Sequence, residues 1–593
     1  MSNFPPTGAA VIAQSLHSLG IRTVFGLVGV PIGEVGEACM AAGIRFIGMR
    51  NEQSASYAAS VHGYLTGAPG VCLVVGGPGV VHALAGVSNA SENNWPLLLL
   101  AGSSERYLVG KGAFQEMDHV GLLGARELGV KLATRPGCVE EIPGCVRNAY
   151  RAAWYGRPGV GFVDLPADLI QENLEEEEME ALKNRVVPAP PRSEGDSRRV
   201  KRAAELLRGA NNPLVIFGKG AAYGRAELAI RELVGRTGIP FLPSPMGKGV
   251  VPDSHPLNIS SARSAALKNA DVVLVLGARL NWMFAFGSVP KWSPTAKIIQ
   301  VDLAAEEVGR NQGDPELSIL GDINLVVPQL LAELHNFKYA GQFVKQLEAS
   351  KLKNEAQIQT LESKTGLPLS YLQAYKVIRS TIDSLSPPDE SRVVLVSEGS
   401  NTMDISRTAF PIQSPRQRLD AGSNGTMGAG LGYAIAAHDV YNANVSASQR
   451  KKIVCLEGDS AIGFSAMEIE TMARNKMDVL IYVINNGGIY SGVADSSEEY
   501  AQKQASTLEG KWDLLGSLRS SSLTYAVRYE KLAEACGGLG FFVNTPEELR
   551  EATVAGFKSD KVVVINVIIE SGKDAIPNFG WNAAPKPKRK AKM

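Results

Sequence analysis

Apolar residues in this chain gather into short, nearly unbroken runs instead of alternating with polar ones. Between about Pro6 and Asp168 the runs are "TVFGLVGV", "FIGMR", "VCLVV", "PLLLLAG" and "GVGFVDL", separated by stretches of helix length. A second set, between about Val200 and Leu334, comprises "PLVIFG", "DVVLVLG" and "AKIIQVDL". A third, over about 368–570, comprises "RVVLVSEG", "KKIVCLEGD", "VLIYVINN" and "KVVVINVII". Runs this continuous predict strands buried on both faces, hence parallel sheets covered by helices. The expected fold class is α/β, with three domains, each an open, mostly parallel sheet flanked by helices. The domains are expected at 1–180, 195–335 and 368–572. Between the first two, "NLEEEEMEALKNRVVPAPPRSEGDSRR" has the composition of a solvated linker. The charged piece 336–367 reads as a surface helix joining domains, and 573–593 as a basic tail outside any domain.

Composition narrows the class without naming it. The 593 residues exceed what one core holds, and 45% hydrophobic with 20% charged residues is ordinary for a globular chain. Lys plus Arg equals Asp plus Glu at 60 each, so nothing in the net charge asks for nucleic acid or a membrane surface. The apolar run "WPLLLLAG" is too short to cross a bilayer. The opening "MSNFPPTGAA" lacks a basic region followed by an apolar one, so no secretory signal is expected. Six cysteines, at 39, 72, 138, 145, 455 and 536, form no metal-binding spacing. No strand is followed by GxGxxG or GxxxxGK[ST], which disfavours a dehydrogenase or a P-loop enzyme.

The chemistry starts at "EGDSAIGFSAMEIETMARNKMDVLIYVINNGGIY", residues 457–490. One apolar run ends in Gly458-Asp459-Ser460, a helix-like stretch follows, and the next run ends in Asn485-Asn486. This is one strand–helix–strand unit, whose right-handed crossover points both strands the same way. Asp459 and Asn486, 27 residues apart, then meet at the carboxyl edge of the sheet if their strands are neighbours. A carboxylate with amide and backbone oxygens suits Mg²⁺ or Ca²⁺, and Mg²⁺ so sparsely held takes phosphate oxygens as well. Either turn alone is common at strand ends. The pair at this spacing points to a metal-bridged diphosphate.

This spacing resembles the metal–diphosphate motif of the thiamine-diphosphate (ThDP) enzymes. The resemblance implies Mg²⁺ on Asp459, the side-chain oxygen of Asn486 and the backbone carbonyl of Gly488. It implies coenzyme contacts at Glu52, Gly425, Met427, Gly458, Asp459, Ser460, Asn486 and Ile489, with Met427 as the apolar wedge that bends the coenzyme. Glu52, in "FIGMRNEQ", matches the glutamate that activates the aminopyrimidine ring. The Gly-rich "GGPGVVHAL" at 76–84 and "GAFQE" at 112–116, which carries Gln115, follow in the family's order. The resemblance implies that the first and third domains are the pyrimidine-binding and diphosphate-binding domains. In the family the two halves of a site come from different subunits, so a homodimer or homotetramer is implied.

Within the family, "PMGKGVVPDSHP", "GARLNWM", "SEGSNTMDISRT" and "RLDAGSNGTMG" are similar to the 2-hydroxyacyl-CoA lyase branch and its kin, the oxalyl-CoA decarboxylases. The lyase reading implies cleavage of a 2-hydroxyacyl-CoA to formyl-CoA and an aldehyde, as in fatty acid α-oxidation. The alternative is oxalyl-CoA going to formyl-CoA and CO₂. Phe114-Gln115 is the lyase pattern, where bacterial decarboxylases tend to have Tyr-Glu; Tyr490 matches a decarboxylase active-site tyrosine. A third reading is a non-catalytic scaffold that binds ThDP or ADP. Catalytic roles fall to Glu52, Gln115 and Tyr490. Bound ADP would be contacted by Arg157, Lys219, Arg279 and Asp302, and CoA by Asn401 and Arg407. The terminal Ala591-Lys592-Met593 resembles a peroxisomal address read by an import receptor. Without it the cytoplasm is the expected location.

Overall fold

A computed structural model describes residues 5–125, 128–182 and 185–573. The first sheet holds β1 (Thr23–Gly26), β2 (Arg45–Gly48), β3 (Gly70–Val74), β4 (Leu97–Ser103), β5 (Val130–Thr134) and β6 (Val160–Pro166), in the order β2-β1-β3-β4-β6-β5. The central sheet holds β7 (Pro213–Phe217), β8 (Phe241–Pro243), β9 (Val272–Leu276), β10 (Lys297–Asp302) and β11 (Ile319–Leu320), in the order β11-β10-β9-β7-β8. The last holds β12 (Val393–Ser397), β13 (Arg418–Asp420), β14 (Lys452–Gly458), β15 (Leu480–Asn485), β16 (Leu539–Val543) and β17 (Val563–Ile568), in the order β13-β12-β14-β15-β17-β16. The strand pairs within all three sheets are parallel, as the continuous apolar runs predict. The charged linker helix is Phe343–Glu362, with Phe343 and Leu347 buried.

Successive residues on a strand face opposite sides, and here each side has its own core. On β3 and β4, Cys72, Val74, Leu97 and Leu99 enter one cluster, while Val71, Leu73, Leu98 and Leu100 enter another. On β14 and β15, Ile453, Cys455, Ile481 and Val483 join the cluster that holds Cys72, and Val454, Leu456, Tyr482 and Ile484 join a third. On β7 and β9, Val215, Phe217, Leu274 and Leu276 join it too, and Leu214, Ile216, Val273 and Val275 lie in a fourth. Each sheet therefore turns one face to a private core and the other to a single core common to all three.

Helix Glu52–Thr66 of the first sheet lies against helix Gly430–Asn442 of the third. A Cβ on Gly432 would come 2.8 Å from the Ser54 carbonyl, so close backbone approach needs glycine there. Asn89 donates to the Tyr433 hydroxyl at 2.7 Å, and Arg45 pairs with Asp439 at 2.9 Å across the same junction. No helix among the described residues is long and apolar enough to cross a membrane.

Candidate active site

β14 and β15 are hydrogen-bonded neighbours, with Gly458 opposite Ile484, so their carboxyl ends share one sheet edge. There Asp459 Oδ2 accepts from the Gly487 N–H at 2.8 Å and the Gly488 N–H at 3.1 Å, and Oδ1 accepts from the Ser460 N–H at 2.8 Å. Asn486 Oδ1 accepts from the Gly488 N–H at 3.2 Å, and its Nδ2 donates to the Tyr490 carbonyl at 2.9 Å. A Cβ on Gly488 would lie 2.3 Å from the Ser491 carbonyl, which reserves this turn for glycine. Tyr490 follows with a positive φ of 67°, and Ile489 and Tyr490 are exposed at the rim. Asn401 donates to the same Tyr490 carbonyl at 2.9 Å. Burial raises the Asp459 carboxyl to about 6, only partly offset by the four backbone N–H groups around it.

Met427 and Gly425 belong to the turn before helix Gly430–Asn442; Gly425 has φ 64°, and the Met427 carbonyl accepts from Tyr57 at 3.4 Å. The motif reading missed what holds this turn. Glu398, at the end of β12, accepts from the Gly428 and Gly430 N–H groups, capping the helix. Glu457 is packed beside it: a Cβ on Gly430 would lie 1.9 Å from Glu457 and 2.9 Å from Glu398. Burial raises Glu398 to about 7, and burial plus the Glu398 charge raises Glu457 well above the usual range. The sequence signal was a Glu-Gly pair ending two apolar runs, at 398–399 and 457–458.

The other half of the expected site lies on the first sheet. Asn51 caps helix Glu52–Thr66 by accepting from the Gln53 N–H, which places Glu52 in the first turn with its side chain 10% exposed. Its Oε2 meets His82 Nδ1 at 3.0 Å, a contact the sequence reading did not anticipate. Gln115 has φ 55° and packs under Gly77, where an added Cβ would lie 2.8 Å from the Gln115 carbonyl. His119 supports that turn: its Nε2 accepts from the Gly77 N–H at 2.8 Å, while Nδ1 faces buried Asp164 at 3.2 Å. Among the described residues, no hydrogen bond links Glu52 to the Asp459 turn.

Three stretches match the domains of one family. Residues 6–122 match the thiamine pyrophosphate enzyme N-terminal TPP binding domain, 200–330 the central domain and 397–567 the C-terminal TPP binding domain. The chain belongs to the thiamine pyrophosphate enzymes. Among curated relatives, it is 44% identical over 570 residues to 2-hydroxyacyl-CoA lyase 1 of Homo sapiens, covering 95% of this chain and 94% of that one. It is 42% identical over 596 residues to 2-hydroxyacyl-CoA lyase of Saccharomyces cerevisiae, covering 98% and 99%. It is 36% identical over 567 residues to oxalyl-CoA decarboxylase of Escherichia coli K12, covering 95% of each.

For a thiamine pyrophosphate enzyme the third sheet's edge fits the coenzyme's charge. Asp459 is a buried carboxylate that accepts from N–H groups and, among the described residues, pairs with no cationic side chain, the state a hard cation would relieve. Helix Ser400–Ala409 begins at Gly399 with no side-chain cap, leaving its N–H groups for an anion. Arg407, on the same helix, pairs with Asp404 at 2.6 Å and with Asp420, the last residue of β13, at 3.4 Å.

Arg157, Lys219, Arg279 and Asp302 do converge. All four line one cavity of about 360 Å³, which is walled by the first and central sheets and closed by Asp420–Ser423 of the third. Lys219 opens helix Lys219–Tyr223, bonds Asn93 and Ser423, and has an ammonium pushed well below its usual range by loss of water. Arg157 Nε donates to Asn94 at 2.6 Å, Arg279 holds Glu92, and burial raises Asp302 at the end of β10.

Proposed function

We propose that the protein is a lyase that cleaves 2-hydroxyacyl-CoA thioesters to formyl-CoA and an aldehyde with thiamine diphosphate and Mg²⁺. The observation that carries this is 41–44% identity over 95% of the chain to 2-hydroxyacyl-CoA lyases of human, mouse, rice and Arabidopsis thaliana. When bound, the coenzyme supplies a nucleophilic carbon and the electron sink needed when the C1–C2 bond breaks. Asp459, Asn486 and the Gly488 carbonyl would hold the Mg²⁺. Gly458, Ser460, Ile489 and Gly425 would line the coenzyme, and Met427 would bend it. Glu52 would exchange a proton with the pyrimidine ring. Gln115 and Tyr490 would face the substrate, with Asn401 and Arg407 toward CoA. Because no hydrogen bond or ion pair among the described residues links Glu52 to Asp459 within one chain, a site completed across a homodimer or homotetramer fits this reading.

Oxalyl-CoA decarboxylase activity is the second reading, favoured by Tyr490 at the rim and by the 36% identity to the bacterial enzyme. Turnover of both thioesters side by side, with coenzyme and Mg²⁺ added, separates the two. A higher kcat/KM for the 2-hydroxyacyl-CoA supports the lyase. Preference for oxalyl-CoA overturns it, and no turnover of either with coenzyme bound leaves a scaffold. The cavity around Lys219 suits a nucleoside diphosphate: cations for phosphates, and Asp302 at a strand end for a ribose. ADP raising the melting temperature, and losing that effect in Lys219→Met, checks it. A peroxisomal address belongs to the same reading, supported by the Ala591-Lys592-Met593 motif, which lies outside the described residues. A fluorescent fusion with and without those three residues tests it.

A further inference from the structure

His82 lies in the second turn of helix Pro78–Asn93, and its imidazole is 59% exposed in the single chain. Glu52, across from it on helix Glu52–Thr66, is almost wholly buried. Among the described residues the Glu52 carboxylate makes one hydrogen bond, Oε2 to His82 Nδ1 at 3.0 Å. The cation closest in sequence serves something else: Arg50 turns to Glu470 at 3.7 Å, in the third sheet's domain. Cys72, on β3, feels the Glu52 charge but is itself a buried thiol held protonated by that burial. Gly79 keeps the approach open, since a Cβ there would strike Val75 at 2.6 Å and stand 3.7 Å from Glu52 Oε1.

A buried acid that must gain and lose a proton in every activation cycle needs a path to solvent. An imidazole has two nitrogens, one facing the acid and one facing water, and passes protons without moving. We propose that His82 is that path: a positioning and proton-carrying residue that acts through Glu52. A proton on Glu52 Oε2 moves to Nδ1, and the proton on Nε2 leaves to water, so Glu52 loses one proton and the solvent gains one. Reprotonation runs the same bonds in reverse, from water to Nε2 and from Nδ1 to Oε2. The inference rests on the coenzyme reading above.

The test needs no acyl-CoA. Full-length protein is loaded with thiamine diphosphate and Mg²⁺, transferred to D₂O, and acid-quenched at intervals, and exchange at the coenzyme's C2 is read by NMR. His82→Ala is expected to slow exchange by about tenfold or more, with calorimetric affinity for the coenzyme unchanged, and added imidazole to restore the rate. His82→Asn keeps a donor for Glu52 but carries no proton, so it too is expected to be slow. Wild-type exchange is expected not to depend on buffer concentration. Exchange at the wild-type rate in either variant overturns the proposal. So does a slowed His82→Ala that imidazole does not rescue, or wild-type exchange that accelerates with imidazole. The wild-type arm stands even where a variant fails to fold. Absence of any binding heat in wild-type protein would instead sink the coenzyme reading.

Discussion

Single side chains set the electrostatics of this molecule by being buried where water would otherwise serve them. Asp459 is one such group, and Asp459→Ala is expected to lose Mg²⁺ and coenzyme affinity together. The loss should exceed the roughly 10–100-fold that a mere neighbour of a metal ligand costs; calorimetry with and without Mg²⁺ measures it. Glu468 is another. Burial raises it to about 7, while its oxygens accept from the Arg50 N–H at 3.0 Å and the Thr471 hydroxyl at 2.8 Å. Between about pH 4.5 and 7 the folded protein holds a proton there that the unfolded chain has released, so stability falls as pH rises through that window. Glu468→Gln keeps an acceptor for Arg50 and removes the charge. Its melting temperature relative to wild type is expected to match near pH 4.5 and to rise to the equivalent of about 3 kcal/mol above pH 7. His82 and Glu398 mark the limit of reading residues in order. Each sits in a motif the sequence displays, yet its partner is 30 residues away or more, and only packing reveals which carboxylate or N–H it meets.

At the scale of elements, every strand signalled by a continuous apolar run is present. The five that went unsignalled, β5, β8, β11, β13 and β16, all lie at sheet edges. An edge strand is covered less and can be very short; β5 and β16 are only partly buried, and β11 has two residues. Such strands lack the run that makes an interior strand legible. The strand–helix–strand unit over 452–485 was legible because β14 and β15 lie in the middle of their sheet, and so was the convergence of Asp459 and Asn486. Helices were readable in position but not in contact. Helices Glu52–Thr66 and Pro78–Asn93, which carry Glu52 and His82, cross where Gly86 meets Ser56, with an added Cβ 2.1 Å from Ser56 Oγ. Gly86→Ala is expected to cost about 1–3 kcal/mol through overpacking, seen as a lower melting temperature.

For the whole molecule, the reading that pairs Glu52 with the Asp459 of a second subunit makes a mixing experiment decisive. Glu52→Gln and Asp459→Ala proteins are each expected to be inactive. Unfolded and refolded together as a random mixture, they are expected to regain about a quarter of wild-type activity, since half the dimers carry one intact site of two. No recovery in verified mixed dimers would place both residues in one subunit's site. Length and composition indicated several domains, but not that their sheets drain into a common core through Cys72, Phe217 and Cys455 alike. That merger makes the covalent links between the three sheets nearly dispensable. A protease cut in the stretch around 186–192, or before Phe343, should leave pieces that migrate together on a sizing column. The gene divided at those points should yield co-expressed fragments that reassemble without a tether.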